Sequence, residues 1–203
     1  MTTRRWWTEG GQGIVEFALL LPVFLLVLMA ILEFGMAFDH ALSITYATRE
    51  GARTGAALVN GGGTAGCASG QSPNASTVDP LIVAAVERVL SSPGSQVSLA
   101  DVTQIRIYLA STTGAETTSV NVWTYAPAAG PSVDGEQLDF VPSTTAWQAC
   151  SRTNTLPAPS IGVAVSYQYH LSTPLRSLFS IFGGSSATLA ISDRAVMAMN
   201  PTQ

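Results

Sequence analysis

Hydrophobic residues follow three patterns along this chain, and each predicts a different element. Residues 17–32 are apolar without a break, with Glu16 at one end and Glu33 at the other. A helix of that length covers ~24 Å, against a bilayer core of ~30 Å. Extension to Phe38 makes the run long enough to span, and then Glu33 lies inside its edge. Residues 36–57 lack proline and continue the helix. There Ala47, Gly51 and Gly55 recur at i, i+4 and i+8, a small-residue stripe on which another element can pack closely. It serves either the chain's own domain or a neighbouring subunit. Tyr46, Glu50 and Arg53 line the adjacent face, with Glu50 and Arg53 spaced to pair.

Further on, the period changes. Residues 77–92 predict a helix with Asp79 as N-cap and Pro80 in the first position, and an apolar face of Leu81, Ala84, Ala85, Val89 and Leu90. Residues 102–109 alternate, Ile105 and Ile107 against Arg106 and Tyr108, as a strand does. A turn leads to a second strand at 119–125, and strands follow at 161–171 and 187–199. Residues 173–184 predict a short apolar helix, too short to span a membrane. The Gly/Ser-rich stretch 60–76 and the Pro/Gly-rich stretch 127–159 predict loops. The order gives an α+β chain: a long N-terminal helix, then a small antiparallel sheet of about four strands with one or two short helices and at least one open edge.

Composition narrows the function. Of 203 residues, 47% are hydrophobic and 11% charged, against about 25% charged in a typical soluble domain. The net charge is −4 and all nine basic residues are Arg. They form no cluster, which argues against nucleic acid as a partner. Arg4 and Arg5 precede the apolar run and the next basic residue is Arg49. That asymmetry predicts a cytoplasmic N-terminus and an extracytoplasmic remainder. In that compartment Cys67 and Cys150, far apart and outside any C-x-x-C pair, predict a structural disulfide.

A search for chemistry yields little. No G-x-S-x-G, P-loop, H-E-x-x-H or G-x-G-x-x-G stands in its required context, so nothing points to an enzyme, a cofactor or a metal centre. Asp134, Glu136 and Asp139 form a cation candidate with oxygen ligands suited to calcium, though without an EF-hand pattern. His40 is expected to be a solvated or interfacial residue just outside the membrane. His170 lies in a strand with no Ser or Cys partner nearby.

A secretory signal, a twin-arginine signal or a plain signal anchor would each account for the basic residues and the apolar run. None accounts for Gly11, Glu16 and Glu33. Gly11-Gln12-Gly13-Ile14-Val15-Glu16 resembles the processing site of type IV-like prepilins. That resemblance implies a membrane aspartyl peptidase cutting between Gly11 and Gln12, which places Glu16 fifth in the mature chain. Glu16 would then pair with the new α-amine of a neighbouring subunit. Val15-Glu16-Phe17, Pro22, Glu33-Phe34-Gly35 and the Arg49–Arg53 stretch together resemble the TadE-like minor pilins, or pseudopilins, of the tight-adherence pilus. The resemblance implies a leader at 1–11, a transmembrane and stalk helix at 12–57 and an extracytoplasmic pilin-like domain at 58–203. It also implies assembly roles for Glu16, Phe17, Pro22 and Glu33, with other pilins, the assembly platform, the prepilin peptidase and the bacterial inner membrane as partners. The alternative is a permanently anchored extracellular domain that captures a surface ligand.

Overall fold

The computed structural model describes residues 11–58, 66, 74–153, 156–174, 177 and 188–199. Helix α1, Gln12–Leu58, runs unbroken for 47 residues, about 70 Å at the usual rise, and takes Pro22 within it. Helix α2 is Ala75–Leu90. Seven strands follow: β1 Val102–Ala110, β2 Glu116–Tyr125, β3 Ser132–Val133, β4 Glu136–Gln137, β5 Phe140–Thr145, β6 Ser160–His170 and β7 Thr188–Ala198. Five form one sheet in the order β5-β2-β1-β6-β7, and β3 and β4 form a separate hairpin. The chain divides into two compact units, Met1–Ala37 with His170–Ala187, and Phe38–Tyr169 with Thr188–Gln203.

The α+β class and the four expected strands stand, with three differences of physical origin. The sheet has a fifth strand, β5, inside the stretch expected to be irregular. Pro142 hides it from pattern reading, yet an edge strand tolerates a residue that cannot donate, and β5 is an edge with Pro142 opposite Trp123. Second, Asp134 and Gly135 both have positive φ, 52° and 86°, the backbone of a tight two-residue hairpin turn. The Asp-Gly pair joining β3 to β4 was the signal for it. Third, α2 begins earlier than expected. Its N-cap is Asn74, whose side chain accepts from the Ser76 N–H, so Asp79 and Pro80 lie within the helix.

The core of the second unit forms where α1 and α2 meet one face of the sheet. Val78, Ile82, Val83, Val86 and Leu90 of α2 are buried, with Ile105 and Ile107 of β1 and Ile161, Val163 and Val165 of β6. Of the expected α2 face, Ala84, Ala85 and Leu90 are buried, whereas Leu81 and Val89 are only half-buried. The short helix expected at 173–184 falls mostly outside the described residues, as does most of 60–76.

Candidate functional site

The N-terminal part of α1 is exposed among the described residues. Every described side chain from Gly13 to Leu28 is exposed, large apolar ones included: Phe17 is 64% exposed, Leu19 72% and Phe24 59%. Apolar surface of that extent marks a membrane or partner interface, and the helix is long and apolar enough to cross a membrane. Glu16 and Pro22 are exposed within this stretch, and Gly11 is exposed at its start.

Glu33 is placed differently. It lies about 26 Å further along the helix and is 5% exposed. Its Oε1 accepts from the Ser172 N–H and its Oε2 from the Thr173 N–H, both at 2.9 Å. Burying a carboxylate is costly unless it is hydrogen-bonded, and two consecutive backbone donors just past β6 meet that need. Glu33 therefore has an intramolecular partner set that its place in the sequence did not disclose.

Above the apolar run, α1 becomes one-sided. His40, Ile44, Ala47, Thr48, Gly51, Ala52, Gly55 and Ala56 are buried, a stripe at helical period. A Cβ on Gly51 would lie 2.6 Å from Val86 Cγ2 and 3.1 Å from Val163 Cγ1, and one on Gly55 2.7 Å from Ile161 Cδ1. Gly51 and Gly55 thus let α1 settle against α2 and β6, so this part of the small-residue stripe faces the chain's own domain. Thr48 Oγ1 donates to Asp193 Oδ2 of β7 at 2.8 Å. His40 is buried, contrary to the solvated position expected of it. Its Nδ1 is 3.1 Å from Tyr167 Oη, and burial holds the imidazole below its usual range against the pull of Asp39 and Asp101. On the outer face Tyr46, Arg49, Glu50 and Arg53 are exposed. Among the described residues Glu50 and Arg53 form no ion pair.

Sequence reasoning missed a buried polar network. Arg152 is 1% exposed. Its Nη1 lies 2.6 Å from Asp79 Oδ1 and its guanidinium carbon 4.3 Å from the Trp147 ring centroid. Asn121 Nδ2 donates to Asp79 Oδ2 and to the Trp147 carbonyl, each at 2.6 Å. The network fastens the 147–152 segment to α2 and β2. Its members come from three separate parts of the chain, so no local spacing announces it. Cys150 lies in this segment and is not a free thiol. Cys67 lies outside the described residues, so the Cys67–Cys150 pairing stays a proposal. Asp134, Glu136 and Asp139 do not gather into a metal-holding group among the described residues. Asp134 serves the hairpin turn, and Asp139 Oδ1 accepts from the Ala128 N–H.

The family model for TadE-like protein matches residues 11–53. Residues 11–53 are TadE-like. No curated protein and no solved structure matches the chain. The TadE-like segment opens on Gly11, takes in Glu16, Pro22 and Glu33, and ends on Arg53 within α1. The sheet lies beyond it.

Proposed function

We propose that this chain is a minor pilin or pseudopilin of a tight-adherence, type IV-like pilus. It is inserted in the bacterial inner membrane with its N-terminus in the cytoplasm, cut between Gly11 and Gln12 by a prepilin peptidase, and assembled through lower α1. The observation that carries this reading is the TadE-like match beginning on Gly11, five residues before a carboxylate that enters a helical stretch exposed over residues 13–28. A plain anchor needs the apolar helix but neither the glycine nor the carboxylate. Cleavage would create an α-amine with a reference pKa of ~7.7–8.0, mostly protonated at neutral pH. Glu16 of one subunit and the amine of the next neutralise each other, so two groups costly in an apolar filament core enter it together. Phe17 and Pro22 belong to the same packing surface.

The test is Glu16→Leu in the native host, reading membrane abundance and recruitment into pili separately. Membrane abundance is expected to hold, because the change lengthens the apolar run. Recruitment is expected to fall steeply, because a buried amine left without its partner costs ~3–5 kcal/mol. Wild-type recruitment of the variant would contradict the pairing and favour the permanently anchored binding domain.

A further inference from the structure

His40 stands where α1 meets β6, and its surroundings are unusual for a group that titrates near neutrality. It is 7% exposed, and the Tyr167 and Tyr169 rings that meet it are 3% and 2% exposed. The His40 ring centroid is 5.5 Å from that of Tyr167, and 5.0 Å from that of Tyr169 in an edge-on contact. Among the described residues its one hydrogen bond is to a neutral phenol, Tyr167 Oη. The charged groups acting on it are Asp39 from its own helix and Asp101 from the turn before β1, and neither hydrogen-bonds the ring. From β6 it meets Tyr167 and Tyr169.

We propose that His40 is an acid-sensitive latch between the stalk helix and the sheet: neutral, it seals the α1–β6 junction, and on taking a proton from water it favours release of that junction into solvent. An imidazolium in this site keeps a single phenol partner and loses most of its hydration, whereas in the open junction it is fully hydrated. The sealed state therefore binds fewer protons than the open one. A group whose pKa is lower in the sealed state contributes stability that is present above its ordinary value of ~6.5 and is lost as pH falls through it. One proton of difference raises the opening constant by up to about tenfold per pH unit below that value, levelling off once the sealed form itself protonates. The latch belongs to the second unit's own packing and does not rest on the pilus reading.

The test uses the full chain in detergent micelles or nanodiscs. With two histidines in the sequence, the imidazole NMR spectrum holds two titrations, and loss of one in His40→Gln assigns the other. In parallel, hydrogen exchange of the β6 amides is followed from about pH 5 to 7.5 and corrected for intrinsic rates. The expected result is a His40 midpoint below ~6.5 and β6 opening that steepens towards acid in the wild type and in His170→Gln. In His40→Gln that slope should be flat. A His40 midpoint at or above the ordinary value overturns the proposal, as does an equal slope in His40→Gln. Should His40→Gln not fold, the wild-type midpoint and the His170→Gln slope still decide.

Discussion

Glu33 shows how a single residue can mean different things in sequence and in structure. In the sequence it is a second carboxylate bordering an apolar run, easily grouped with Glu16. In the structure Glu16 is exposed, whereas both carboxylate oxygens of Glu33 are engaged by the Ser172 and Thr173 N–H groups. A buried donor left without an acceptor costs about 1–3 kcal/mol. Glu33→Leu should therefore expose the Ser172 and Thr173 amides to exchange and destabilise that region by up to several kcal/mol, whereas Glu33→Gln keeps one acceptor and should lose less. Hydrogen exchange of those two amides in the solubilised full chain is the check. Unchanged protection in Glu33→Leu would show that the carboxylate does not hold them.

At the scale of elements, α1 changes character along its length, and its glycines report where. Gly35 has nothing within 4 Å of a built Cβ, whereas Gly51 meets Val86 at 2.6 Å. Gly35→Ala should be neutral or stabilising by up to ~1 kcal/mol, the helix-propensity difference. Gly51→Ala gains the same propensity but forces α2 and β6 aside, an overpacking cost of typically ~1–3 kcal/mol, so it should be destabilising overall. Denaturant melts of both variants compare the two, and equal midpoints would remove the close-packing account of Gly51. Much of this scale was legible. The apolar run, the proline-free continuation and the alternation in β1 are local patterns, and strands were expected close to where β2, β6 and β7 lie. What escaped did so for identifiable reasons. Pro142 masked β5, and Asp134-Gly135 was weighed as part of an acidic cluster instead of a hairpin turn. Asp79 looked like a cap because Pro80 follows it, but Asn74 supplies the cap and Asp79 turns to Arg152. The Asp79–Asn121–Trp147–Arg152 network was out of reach, since burial and contacts between distant segments leave no periodic trace.

For the whole molecule, the two units are sustained by different surroundings. In the second, α1, α2 and the sheet bury one another. In the first, residues 13–28 of α1 are exposed, an apolar surface suited to a membrane or a partner. The TadE-like match falls on the part of α1 that joins these situations, which is where processing and assembly would act. The most direct measurement is the intact mass of the mature protein purified from its native host, with sequencing of its N-terminal peptide. The account predicts a chain beginning at Gln12, without Trp6 and Trp7. A chain that retains those tryptophans, or one that begins after residue 38, would contradict it.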